Sequence, residues 1–337
     1  MDPLSQAIVG ALLPQALAKP EAIRKATILG IAGGMAADLD VLIRSTHDQL
    51  LQIEYHRHFS HSLIFIPVGG FIVGAAFWPF MKKRLAFSQV FKWATLGYAT
   101  GGILDACTSY GTRLLWPFAQ TRVSWDLISV IDPIFTFTTL TLAILAAKSR
   151  SSKFARWAWL FIFCYLSFGL LQQHRAKSIA MDLAHDRGDS IKRIVLKPSF
   201  GNVFLWRSIY ETGDRHIQAD GIRPGFFQDH RVYKGERCPL ISVEEASKDL
   251  KPESRLKLDL ERFAHFSDHW LGYHPTQKNV VADMRYSTMP DQINPLWGIE
   301  MDYDHPEEHA KWLTFREIDE AKTKRLWSMI LARDLLR

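Results

Sequence analysis

Apolar residues are spread unevenly along this chain. Almost all the long apolar stretches precede about residue 175, and the remainder is dense in Lys, Arg, Asp and Glu. Four runs stand out: Leu63–Phe80, Trp93 to about Ala106, Leu127–Ala147 and Trp157–Leu171. The first and third approach the roughly 20 apolar residues a helix needs to cross a bilayer, and the other two reach it with their flanks. Trp78, Trp93, Trp116, Trp125, Trp157 and Trp159 fall near the run ends, where indole rings favour the headgroup zone. The pattern predicts four spans. Upstream, Pro3–Ala18 and Ala22–Ala37 are shorter, rich in Ala and Gly, and separated by Lys19-Pro20-Glu21. They predict a tilted or re-entrant helical hairpin packed through its small residues.

Beyond the last run, QQHRAKSIAMDLAHDRGDS predicts a polar helical extension that stops near Gly188. The runs IKRIVLKPSF, NVFLWRSIY and RHIQADGIR, separated by turn residues, predict antiparallel strands. VEEASKDLKPESRLKLDLERFAHFSDHWLG predicts two helical pieces broken at Pro252. MRYSTMPDQINPLWGIEMDY predicts further strands, and FREIDEAKTKRLWSMILARDLL a closing amphipathic helix. The expected fold class is mainly α: a polytopic helical membrane domain over residues 1–175, followed by a soluble α+β domain over 176–337.

Charge adds an orientation. The formal net charge is +6, but no nucleic-acid motif accompanies it, so no nucleic-acid partner is expected. Lys82, Lys83, Arg84 and Lys92 lie in one inter-run loop and Lys148, Arg150, Lys153 and Arg156 in another, which predicts both loops to be cytoplasmic. The segments Asp38–His61 and Asp105–Asp126 then share the opposite face with the C-terminal half, which is expected to be periplasmic or otherwise extracytoplasmic. The N-terminus lacks the basic n-region and cleavage site of a secretory signal, so it is expected to remain. Cys107, Cys164 and Cys238 show no CxxC spacing and support neither a thiolate zinc site nor a disulfide framework.

Three segments gather the chemistry: GGMAADLDVL, HRHFSHSL and GGILDACTSYGTRLLWPF. Ionisable side chains at the margins of apolar segments are expensive to desolvate and normally have a partner or a role. Asp38 and Asp40 diverge on an α-helix and converge only if the helix ends near Gly34 or Met35; otherwise they are a solvated helix-end pair. His58 and His61 share a helical face, whereas His56 and His61 meet only if the segment bends. A mixed His and carboxylate set suits a metal site that keeps a position for water; the alternative is a pH-responsive interfacial His cluster. Asp105, after Gly101-Gly102, approaches the same face. Arg57 and Asp126 are candidates to orient an imidazole or engage an anionic substrate group. Asp132, beside Pro133, suits an inter-helix hydrogen bond, and Ser60, Ser62, Thr108 and Tyr110 suit capping and backbone contacts.

MDPLSQAIVGA, AADLD, HRHFSHS and LDACTSYGTRLLWPF followed by DLISVIDP together resemble the YdjM-like family of membrane-bound metal-dependent hydrolases, over about residues 1–175. The resemblance implies an inner-membrane helical protein with a divalent metal site, distantly similar to zinc-dependent phospholipases C. Carried over by motif, it implies that Asp38, Asp40, His56, His61 and Asp105 bind the metal. Many members carry a His four residues before the aspartate of the LDA motif, where this chain has Gly101. That departure leaves fewer metals, a replacement ligand such as His58, and an inactive site as open outcomes.

The expected function is hydrolysis of a phosphoester or lipid-linked substrate at the periplasmic face. Zn²⁺ is the expected ion, Asp40 the proton acceptor and Arg57 a second catalytic residue. The competing reading is a non-catalytic membrane anchor whose C-terminal domain binds an envelope partner. A transporter fits less well, because the polar residues gather at the ends of the runs.

Overall fold

The computed structural model describes residues 1–225, 229–316 and 319–333. By its contacts the chain forms two compact units. One comprises Met1–Leu42, Tyr55–Leu170 and Phe200–Asn202; the other comprises Ile43–Glu54, Leu171–Ser199 and Val203–Arg337.

The first unit is helical. Helices α1 (Pro3–Leu17) and α2 (Ile23–Ala36) form the expected N-terminal pair, and Asp2 caps α1 by accepting from the Ser5 N–H at 3.0 Å. Small residues let the pair close: a Cβ at Gly10 would strike the backbone of Gly30 and Gly34. The chain then enters a 3₁₀ segment, Ala37–Leu42; the short α3 (Leu50–Tyr55) that follows belongs, up to Glu54, to the second unit. Two more 3₁₀ turns, Phe59–His61 and Leu63–Phe65, precede α4 (Ile66–Met81), α5 (Phe87–Ala106), α6 (Pro133–Ser149) and α7 (Ser152–Asp186), which passes into the second unit after Leu170.

Among the described residues, Leu63–Met81 and Ser152–Asp186 are the segments long and apolar enough to cross a membrane. They turn Phe71, Ile72, Trp157, Leu160 and Phe163 outward, at least half exposed, which fits a lipid-facing surface. The run expected over Leu127–Ala147 becomes a helix only from Pro133, because the Asp132 carboxylate accepts from the Phe135 N–H at 3.0 Å and starts it there. The same carboxylate accepts from the Tyr165 hydroxyl at 2.9 Å, tying α6 to α7.

The second unit is α+β. Strands β1 (Ile191–Pro198), β2 (Trp206–Thr212), β3 (His216–Arg223) and β4 (Arg231–Pro239) form one antiparallel sheet in chain order. After α8 (Val243–Ala246) and α9 (Arg255–Phe266), β5 (Leu271–Tyr273), β6 (Val280–Asp283), β7 (Trp297–Glu300) and β8 (Lys311–Thr314) form a second. The helix expected to run on to Gly272 stops at Phe266: Trp270 is buried and Leu271 already pairs with Asp283. Of MRYSTMPDQINPLWGIEMDY, β7 alone is a strand. Ile209, Ile217, Cys238, Trp270, Ala282 and Met284 make one core from both sheets. The closing helix α10 covers Glu320–Leu331, and the parts of its expected range at 317–318 and 334–336 lie outside the described residues.

Candidate metal centre

Local geometry decides which ionisable groups meet. Beyond α2 the chain tightens into a 3₁₀ turn, whose residues i and i+2 point well apart. Asp38 and Asp40 therefore do not converge side by side; they bracket the ring of His61. Asp38 Oδ1 is 3.1 Å from Nε2, and Asp40 Oδ2 is 3.1 Å from Nδ1. The histidine segment bends, as a meeting of His56 with His61 requires. Arg57 takes a left-handed backbone (φ 59°), which costs a non-glycine residue on the order of 1 kcal/mol. The turn is held because the Arg57 N–H donates to Asp40 Oδ2 at 2.9 Å. The bend brings His56 Nδ1 to 2.8 Å from Asp40 Oδ1 and turns His58 elsewhere. The ring nitrogens of His58 face the Phe59 N–H and the Arg113 guanidinium, both at 2.7 Å, so His58 does not join the cluster.

Asp105 arrives from the last turn of α5, fully buried, with Oδ2 3.1 Å from His61 Nε2. Gly102 makes this possible, since a Cβ there would overlap the His61 carbonyl oxygen. Two carboxylates from different elements thus converge on one imidazole nitrogen. Asp38, His61 and Asp105 each offer a ligand atom, all within 4.8 Å of one another. Asp105 Oδ2 is buried and makes no well-formed hydrogen bond.

Cations already gather there. Arg57 Nη2 is 3.1 Å from Asp105 Oδ1, its Nη1 donates to Thr108 Oγ1 at 3.2 Å, and its guanidinium lies 5.1 Å from the Tyr110 ring centre. The Met1 amino group also contacts Asp105. Burial opposes a proton on His61, but contacts with Asp105, Asp38 and Asp40 outweigh it and push its pKa up to about 10. Burial likewise opposes charge on Asp40, yet hydrogen bonds with His56 and His61 hold its carboxyl well below the usual range.

Asp40 differs from the reading as ligand and proton acceptor. Both its oxygens are occupied, by His56, the Arg57 N–H, Ser60 Oγ at 2.6 Å and His61. Ser60, expected to cap or contact backbone, instead directs its hydroxyl to Asp40 and lies 3.0 Å from His61 Nδ1. Asp126 is buried in a left-handed conformation, and Ser62 Oγ donates to the Phe59 carbonyl at 2.7 Å. Gln6 escaped the sequence reading. It is fully buried, its Oε1 has no hydrogen-bond partner, and that oxygen would lie 3.5 Å from a Cβ at Gly101. The signal was an amide within an apolar helix.

Residues 1–176 match the model of the YdjM inner membrane protein family. The chain belongs to that family. No curated protein and no solved structure matches it. The match covers every residue of the cluster, and the second unit of this YdjM-family chain lies almost wholly outside it. That unit holds another group with metal-ligand spacing, Asp48, Asp259 and His309. Asp259 Oδ2 is 2.8 Å from His309 Nδ1 and accepts from the Ala310 N–H at 3.0 Å. Arg262 is within 3.0 Å of Asp48, 2.9 Å of Glu54 and 2.8 Å of Asp259. No sequence motif could reveal this group, because Asp48 is more than 200 residues from its partners.

Proposed function

We propose that this chain is a multi-pass inner-membrane, metal-dependent hydrolase acting on a phosphoester or lipid-linked substrate at the extracytoplasmic face. Family membership and the Asp38–His61–Asp105 cluster support a metal-binding, hydrolytic protein. The observation that carries the reading is the convergence of Asp38 and Asp105 on His61 Nε2 while Asp40 engages Nδ1. A carboxylate behind an imidazole fixes its tautomer and aims its other nitrogen. Asp40 does this for His61 and, through Nδ1, for His56. In this reading Asp38, His61 and Asp105 hold the ion, His56 adds Nε2, and Asp40 is a positioning carboxylate.

The mixed nitrogen and oxygen donors suit Zn²⁺. A bound divalent ion supplies electrophilic assistance at a phosphoryl oxygen and acidifies water. Arg57, held over Tyr110 and beside Asp105, places a fixed positive charge where an anionic ester oxygen would lie. The helical portion to about residue 175 carries the site, and the α+β portion is its periplasmic domain.

The test is hydrolysis of a panel of phosphomonoesters, phosphodiesters and short-chain glycerophospholipids by full-length protein in detergent, before and after chelation. The expected result is turnover lost on chelation, restored by Zn²⁺, and reduced at least about 100-fold in Asp105→Asn. Metal-loaded protein that turns over nothing in the panel favours the anchor reading.

A further inference from the structure

The two halves of the metal-ligand set lie on either side of a connector that belongs, by its contacts, to the other unit. Asp38 and Asp40 precede it, His56 and His61 follow it, and Ile43–Glu54 packs with the α+β unit. The connector has little to order it from within. Its helix α3 has six residues, far below the roughly 12 an isolated helix needs. A free loop of this kind would let the histidine segment wander relative to the aspartates.

What orders it is a set of contacts within the α+β unit. Leu50 and Ile53 are buried, and Gln49 Oε1 accepts from the Trp312 N–H of β8 at 2.7 Å. Arg262 donates to Asp48 at 3.1 Å and to Glu54 at 2.9 Å, gripping both ends of α3. It is itself held in place: Asp259, one turn earlier on α9 and fully buried, accepts from it at 2.8 Å. Asp259 is fixed in turn by His309 and the Ala310 N–H. A guanidinium preorganised in this way loses little rotamer freedom when it binds two further carboxylates, unlike an isolated surface pair. It also supplies the positive charge that Asp48 and Asp259 would otherwise seek from an ion.

We propose that Arg262 is a positioning residue for the metal centre: by mooring Asp48 and Glu54 it fixes the connector, and so holds His56 and His61 in register with Asp38 and Asp105. This rests on the metal-centre reading above, and it identifies Asp48–Asp259–His309 as an ion-pair clamp rather than a second metal site.

The test uses the full chain in detergent, as wild type, Arg262→Gln and Arg262→Lys, with Co²⁺ as the spectroscopic probe and amide hydrogen exchange as a readout independent of metal. Arg262→Gln should weaken Co²⁺ binding about 10- to 100-fold and change its visible absorption, the scale of losing support behind a ligand. Arg262→Lys should recover part of the affinity. In metal-free Arg262→Gln, amides 50–62 should exchange at least about tenfold faster while those of α9 and β6 keep wild-type protection. Unchanged exchange over 50–62, or an equal rise in α9 and β6, overturns the proposal. A wild type that takes up no Co²⁺ overturns the metal-centre reading, and the exchange result still decides whether Arg262 moors the connector.

Discussion

Two clusters in this molecule offer the same ligand types at the same spacing, yet their environments differ. Around Asp38, His61 and Asp105, His61 and Asp105 are fully buried, two carboxylates press on one ring nitrogen, and Asp105 Oδ2 lacks a well-formed hydrogen bond. Around Asp48, Asp259 and His309, a single guanidinium contacts three carboxylates, and the rim is open to water, with the Glu54 side chain 39% exposed. Donor identity and distance therefore do not define a metal site. What separates the two is whether an internal cation already satisfies each carboxylate, and whether water can screen what remains. On the proposals above, the first cluster takes a cation that the chain supplies incompletely, and the second has its own.

The largest effect that could break this comparison is loss of metal. Purified without added metal and analysed for bound ions, His61→Ala should retain essentially none, because it removes the nitrogen on which both carboxylates converge. His309→Ala should keep the wild-type stoichiometry. Equal loss in both variants would mean that the second cluster also holds an ion and that Arg262 does not replace it.

A smaller effect separates the clusters by stability. In chelated protein, Asp259→Asn should cost about 2 kcal/mol, since it leaves Arg262 without its buried partner and weakens two further hydrogen bonds at Asp259. Asp38→Asn should cost less than about 1 kcal/mol under the same conditions. Asp38 is the least buried of the three, its side chain 19% exposed, and Asp40 and Asp105 still face His61. Thermal unfolding of both variants in detergent reads the difference, and a reversed order would show that the first cluster is the structural one.

Much of the first cluster was legible because its parts are local. The AADLD, HRHFSHS and LDA segments are short, each carries its ionisable residues within a few positions, and the positive loops predict one face for them. What local pattern could not show was backbone conformation. The 3₁₀ turn after Ala36 makes Asp38 and Asp40 bracket a ring, and the left-handed Arg57 swings His58 out and His56 in. Helical spacing had paired His58 with His61 instead. In the α+β unit the first three strands were readable from alternation and turn residues. β5 was not, being three residues long and following a helix without a strong breaker. The clamp was invisible for a different reason: its residues are brought together by folding over more than 200 positions.

The smallest effect concerns the floor of the metal centre. Gly102 cannot accept a Cβ without striking His61. Gly101 is different. A Cβ there would lie 3.5 Å from Gln6 Oε1, 3.6 Å from the Gly34 carbonyl oxygen and 3.8 Å from the Ala37 Cβ, all ordinary contacts. A helix-interior Gly→Ala change that meets no clash gains about 0.5–1 kcal/mol in backbone entropy. Gly101→Ala should therefore stabilise the protein slightly and leave its bound metal unchanged. If it instead expels the metal, the centre extends down to Gln6, whose unpartnered oxygen would then be part of the ion's surroundings. The contrast with the self-sufficient clamp in the other unit would become wider still.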